Sequence, residues 1–196
     1  MQELIDLLKT YDFLSPEELK VIQGASTIQT LKAEEHLFKA GDYFYHEGHV
    51  LKGVMRIYEI NPRGEERTIY IGAEGSNVGS LETMFKQEKS IRFAQAIEDS
   101  TILLLDSQLL DQKEKEYPRI MKQKMMDMEK LLLNLSERAS FFALYSPEER
   151  YISLQENQPE LIHRIPQKYL ASYIGVSTVS LSRIKARIHK KKRKKN

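Results

Sequence analysis

The chain has 196 residues, 41% hydrophobic and 30% charged, with a formal net charge of +2 at pH 7. That balance excludes a disordered chain and fits one large domain, or a medium domain with a small one. There is no cysteine, which excludes disulfides, thiolate zinc or iron–sulfur sites and cysteine nucleophiles.

The N-terminal run MQELIDLLKTYDF is interrupted by Glu3, Asp6 and Lys9, unlike a signal peptide. No run of 18 uncharged apolar residues occurs, so the expectation is a soluble, cytoplasmic protein without a membrane partner. The small net charge hides an asymmetry. Residues 1–145 carry 18 basic and 24 acidic residues, whereas residues 146–196 carry 12 and 4. A basic C-terminal end on an acidic body points to an anionic partner such as nucleic acid; a solvated basic tail is the simpler alternative.

In chain order, residues 1–23 read as helices. Ser15-Pro16-Glu17-Glu18 supplies a cap, a proline at the first helical position and acids in the first turn. From Thr27 to Asp106 the pattern shifts to short runs of β-formers, among them His36–Phe38, Val54–Tyr58, Thr68–Ile71 and Thr101–Leu105. Seven of the nine glycines lie between Gly41 and Gly79, and Asn61-Pro62-Arg63-Gly64 predicts a hairpin turn. Many short strands with regular turns predict a small β-barrel or sandwich.

From Pro118 to about Leu144 the period is helical. Met121, Met125, Met128, Leu132, Leu135, Ala139 and Phe142 follow a 4-3 spacing over three heptads. That is a coiled-coil seam, and it predicts a homodimer; burial of one helix against its own barrel is the simpler alternative. Ser146-Pro147-Glu148-Glu149 opens another helix with the same grammar as Ser15.

The segment QKYLASYIGVSTVSLSRIKARI reads as a helix-turn-helix. Leu170, Ala171 and Ile174 form an inward face, Gly175 the turn and Val176 an apolar plug. Ser177 caps a second helix whose Leu181, Ile184 and Ile188 point inward. The other face of that helix carries Thr178, Ser180, Ser182, Arg183, Lys185 and Arg187. Short polar residues can approach base edges while arginine and lysine reach phosphate or guanine, so the expected partner is double-stranded DNA. The remaining run His189–Asn196 has no apolar residue. It is expected to be disordered when free and to give non-specific phosphate contacts.

The motifs Lys39-Ala40-Gly41-Asp42, Lys52-Gly53-Val54-Met55-Arg56-Ile57-Tyr58, Arg63-Gly64-Glu65-Glu66, Val78-Gly79-Ser80-Leu81, Arg92-Phe93-Ala94 and Ile174-Gly175-Val176-Ser177 through Leu181-Ser182-Arg183-Ile184 stand in one order. In that order the chain resembles the Crp/Fnr, or catabolite-activator-type, regulators over residues 10–188. The resemblance implies an α+β fold in three parts. Residues 1–117 would form a cyclic-nucleotide-binding-type β-barrel (jelly roll) with flanking helices, 118–145 a dimerisation helix, and 146–196 a helix-turn-helix domain with a basic tail. It implies a homodimeric, sequence-specific DNA-binding transcriptional regulator that is not an enzyme, with RNA polymerase as a further partner. It also carries Gln167, Lys168, Thr178, Val179, Ser180, Arg183, Lys185 and Arg187 over as DNA-binding positions. Val179 stands where relatives commonly have a glutamate.

The same resemblance locates an effector cassette at Gly79, Ser80, Leu81, Arg92 and Phe93, with Leu135 and Ser136 at the positions that contact a purine. Cyclic-AMP-binding relatives have Gly-Glu-Leu and Arg-Ser-Ala. Here Ser80 replaces the glutamate and Phe93 the serine. A serine cannot match a carboxylate that accepts from a ribose hydroxyl, and a phenylalanine removes a phosphate donor. Cyclic AMP is therefore disfavoured. A small anionic effector held through Arg92 and a regulator without an effector both stay open, and Arg92 could equally be a strand arginine paired with Glu88 or Glu98. His46 and His49 are expected as surface histidines on a loop around Gly48, neither haem nor metal ligands. Two further readings are a barrel acting only in protein interaction and a cupin-type metal enzyme. The latter lacks a third local histidine, since His163 is the next after His49.

Overall fold

A computed structural model of the chain describes residues 13–193. The first helix, α1 (Pro16–Gly24), starts on a reciprocal capping box: Ser15 Oγ accepts from the Glu18 amide and the Glu18 carboxylate accepts from the Ser15 amide. The expected helices before Asp12 lie outside the described residues.

Eight strands follow: β1 (Ser26–Leu31), β2 (His36–Phe38), β3 (His46–Lys52), β4 (Met55–Ile60), β5 (Glu66–Gly72), β6 (Asn77–Val78), β7 (Phe93–Ala96) and β8 (Ser100–Asp106). They form two antiparallel four-stranded sheets, in orders β1-β8-β3-β6 and β2-β7-β4-β5. The two sheets share one core without closing into a continuous barrel. Leu31, Val50, Val78, Ile102 and Leu104 of the first pack with Leu37, Phe38, Met55, Ala94 and Ala96 of the second. The predicted turn joins β4 to β5. Asn61 bonds to Arg63 and Glu65, and Gly64 takes the φ of +78° that a side chain would resist.

One short helix, α2 (Leu81–Lys86), interrupts the strands and another, α3 (Ser107–Lys113), follows the last of them. Then comes α4 (Pro118–Leu144), 27 residues and about 40 Å long. Ile120, near its start, joins Leu14, Ile22, Leu103 and Leu105 on the outer side of the first sheet. The next inward positions are polar, Gln123 and Asp127. Four helices complete the chain: α5 (Pro147–Asn157), α6 (Pro159–Arg164), α7 (Gln167–Tyr173) and α8 (Thr178–Arg193). Their core is continuous with the second sheet, because Val54, Ile71 and Ile97 pack in one cluster with Leu170, Ile174, Leu181 and Ile184.

Two expectations need correction. The basic run is not a disordered tail over its described part: α8 continues through Lys190 and Lys191 to Arg193. Lys191 and Arg187 both reach Glu148 in the first turn of α5, which gives that extension an anchor. His46 and His49 are not loop histidines either. Both lie in β3, and His49 is 3% exposed. Residues of β3 alternate in direction. Val50 enters the core, so Glu47 and His49 turn outward toward α4.

There Glu47 accepts from Asn77 Nδ2 at 3.3 Å and lies 3.7 Å from His49 Nε2. Asp127 accepts from Gln123 Nε2 and pairs with Lys130. Burial, with the Asp127 charge beside it, pushes the Glu47 carboxyl up to about 7. Burial pushes His49 down.

A carboxyl whose value rises on folding contributes stability below its ordinary value and loses it as pH climbs through about 7. His49 acts in the opposite sense, losing stability as pH falls below 6.5. The difference between wild type and Glu47→Gln isolates the first effect. In urea titrations the variant should gain on wild type by about 1–3 kcal/mol between pH 5 and pH 8. A pH-independent difference would contradict the buried, protonated Glu47.

Candidate functional site

The helix-turn-helix consists of α7, a turn at Gly175 and α8. Leu170, Ala171 and Ile174 are buried along α7, and Leu181, Ile184 and Ile188 along α8. Gly175 has φ +78°, and a Cβ there would stand 3.0 Å from the Phe142 ring, so the turn needs glycine twice over. Ser177 Oγ accepts from the Ser180 amide at 3.1 Å and starts the second helix as its sequence predicts. Arg138 of α4 donates to the carbonyl of Tyr173, and Arg150 of α5 to that of Ile174 at 2.9 Å. Two cations thus meet the carbonyl end of α7 and fix its angle to the long helix.

Thr178, Val179, Ser182, Arg183 and Arg187 are exposed, while Ser180 and Lys185 are half-buried. Val179 is 58% exposed, an apolar side chain with no core to fill at the start of the helix. Gln167 and Lys168 are exposed in the first turn of α7. Not every expected contact is free. Arg187 pairs with Glu148 at 3.0 Å and Lys168 with Glu34 at 3.1 Å. Sequence reading missed Glu34 and Glu148, since no local signal ties an isolated acid to a distant cation.

The cassette residues on the sheets come together, but around each other. Ser80 is fully buried as the cap of α2, its Oγ accepting from the Thr83 amide at 3.3 Å and lying 3.0 Å from Thr83 Oγ1. Arg92 donates to Glu59 at 2.8 Å and to Glu82 at 3.0 Å. Those are its partners, not Glu88 or Glu98. Phe93 stacks on Tyr58 with centroids 4.8 Å apart and planes 10° from parallel. Leu135 and Ser136 are exposed on α4.

The seam residues face away from the sheets. Met125 is 66% exposed and Leu132 61%; Met121, Leu135, Ala139 and Phe142 are also exposed, and Met128 is half-buried. Met121, Met125, Met128 and Leu132 line an open groove of about 530 Å³, rimmed by Asp111, Glu114, Lys124 and Glu129. Among the described residues, no cluster of histidine and carboxylate side chains could hold a metal, and no helix is long and apolar enough to cross a membrane.

Residues 28–117 match the cyclic nucleotide-binding domain. An anaerobic regulatory protein of Pasteurella multocida is 27% identical over 172 residues, which cover 82% of this chain and 62% of that protein. The fumarate and nitrate reduction regulatory protein of Vibrio cholerae is 27% identical over 183 residues, covering 87% and 71%. The chain thus contains a cyclic nucleotide-binding domain and is similar over most of its length to these regulatory proteins. It spans less than two thirds of the length of the Pasteurella protein. A solved structure shares the fold over both parts of the chain. FixK2 from Bradyrhizobium japonicum superposes with a TM-score of 0.72 at 14% identity, covering 85% of each chain.

The division of α8 into a core face and an outer face gives a direct expectation. Leu181→Ala should cost about 2–5 kcal/mol in chemical unfolding, because Leu181 has no exposed surface. Arg183→Ala should stay within about 0.5 kcal/mol of wild type. Equal costs for the two would contradict the assignment of faces.

Proposed function

We propose that this chain is a Crp/Fnr-type, homodimeric, sequence-specific DNA-binding regulator of transcription, with no enzymatic activity, acting in the cytoplasm. The observation that carries the reading is the outer face of α8, where Thr178, Val179 and Arg183 are exposed on a helix whose other side is locked into the core. In this reading residues 146–196 form the DNA-binding domain, with α8 in the major groove. Arg183 donates to a guanine edge, Val179 packs on a thymine methyl, and Thr178 and Ser180 approach neighbouring bases. Gln167, Lys168, Lys185 and Arg187 contact phosphates, as does the basic extension of α8. Residues 118–145 are the dimerisation helix, and the exposed 4-3 seam pairs two copies so that two half-sites lie about 34 Å apart. RNA polymerase is the proposed further partner.

Residues 1–117 act as the sensor. Any anion reaching Arg92 has to compete with Glu59 and Glu82. Those two carboxylates favour a second reading, a regulator that works without a small-molecule effector. Both readings disfavour cyclic AMP as the ligand, and the engagement of Phe93 and Ser80 in the chain's own packing supports them.

Selection of bound duplexes from a random pool, with and without a panel of small anions, tests the proposal. It should return a pseudo-palindrome. Arg183→Ala should lose about 1–3 kcal/mol on that duplex and relax preference at one position of each half-site. An unselective pool, or an unchanged preference in the variant, would overturn the reading.

A further inference from the structure

Glu34, in the turn between β1 and β2, is one of two non-glycine residues with positive φ among those described, at +70°. The left-handed region costs a residue with a side chain about 1–2 kcal/mol, so neighbours must hold it there. The Glu34 amide donates to the Ala96 carbonyl at 2.8 Å, and its own carbonyl accepts from Gln95 Nε2 at 2.8 Å. Held in this way, the carboxylate reaches out of the sheets to the first turn of α7. It accepts from Lys168 Nζ at 3.1 Å and from the Tyr169 hydroxyl at 3.2 Å. Lys168, hydrogen-bonded there, draws the Glu34 carboxyl below the usual carboxylate range.

The same elements grip Tyr169 from a second side. Arg56 of β4 is 2% exposed, a guanidinium buried where the sheets meet the helix-turn-helix. Its plane lies 3.8 Å from the centre of the Tyr169 ring and 4.0 Å from that of Tyr58. Its nitrogens donate to Gln95 Oε1 at 2.6 and 2.8 Å and to Glu66 at 2.6 Å. Gln95 therefore joins both grips, holding Arg56 with its oxygen and the Glu34 carbonyl with its nitrogen. One turn further along α7, Ser172 Oγ accepts from the Thr68 amide and donates to the Glu66 carbonyl.

The first helix of a helix-turn-helix lies across the DNA backbone. A phosphate there would draw on the ammonium of Lys168, for which the Glu34 carboxylate competes. We propose that Glu34 and Arg56 form a latch that docks α7 on its own sheets in competition with the DNA backbone, so that DNA binding and release of the latch are linked. The inference rests on the DNA-binding reading above. Linkage makes the competition reciprocal: the factor by which the latch weakens DNA binding is the factor by which bound DNA weakens the latch. The latch also touches the cassette, because Tyr58, which carries Arg56, stacks on Phe93. A ligand or substitution that moves Phe93 thereby reaches α7 within one protomer, without passing through the long helix.

The test is a double-mutant cycle on the full chain, with a selected duplex as the probe at low salt. Glu34→Gln keeps a polar side chain but removes the competing charge. It should bind the duplex about two- to fivefold tighter than wild type, the range of an exposed ion pair. Lys168→Gln should bind more weakly, and in that background Glu34→Gln should give no further gain. A generic loss of negative charge would tighten binding in both backgrounds, and that result would overturn the latch. So would equal or weaker binding by Glu34→Gln alone. Tyr169→Phe, which keeps the ring and removes only the hydroxyl bond to Glu34, should also tighten binding, by less. If wild type and every variant fail to bind any duplex, the DNA-binding reading itself falls, and the latch with it.

Discussion

The long helix turns its apolar side the wrong way for a single chain. After Ile120, the positions of α4 that meet the sheets are Gln123 and Asp127, while Met121, Met125, Leu132 and Leu135 face outward. A surface helix ordinarily buries its apolar stripe in its own domain. Full burial of each such side chain is worth about 1.5–3 kcal/mol, so leaving four or more of them in water is a cost that a second copy of the helix would remove. The polar contact with the sheets has a consequence of its own. Glu47, His49 and Asp127 form a buried polar group between sheet and helix, the kind of junction whose packing responds to a change of charge.

The same helix sets where the outer face of α8 stands. Arg138 near its end holds the carbonyl end of α7, and Phe142 closes on Gly175. The second sheet contacts α7 independently, through Arg56, Glu34 and the shared cluster around Ile71 and Leu170. The helix-turn-helix is thus tied to two bodies at once, one of which pairs with a partner in the proposed dimer. A shift of either changes the position of α8, which in the proposed regulator would connect sensing to DNA binding.

Much of this is legible in the sequence because it depends on local rules. The capping boxes at Ser15 and Ser146, the turn at Asn61–Gly64, the cap at Ser177 and the inward faces of α7 and α8 all follow from spacing a few residues long. The 4-3 seam is likewise a matter of period, and its exposure agrees with it. What escapes sequence reading joins distant segments. His49 resembles a loop residue beside Gly48 because the strand that contains it is polar on one face, and only α4, some 75 residues later, buries it. The partners of Arg92 are Glu59 and Glu82 rather than nearer acids along the chain, since β4 runs beside β7. The basic end looks like a tail because nothing in it is apolar, yet Glu148 reaches it from another helix.

The central claim is that α4 pairs two copies of this chain and thereby spaces two recognition helices. Sedimentation of the full chain at a concentration on the order of 10 µM tests it most directly. Wild type should sediment at twice its 22.9 kDa. A variant carrying Met128→Asp and Leu135→Asp should sediment at the single mass with unchanged helical content. A wild-type monomer at that concentration, or a variant that still sediments as a dimer, would contradict the account.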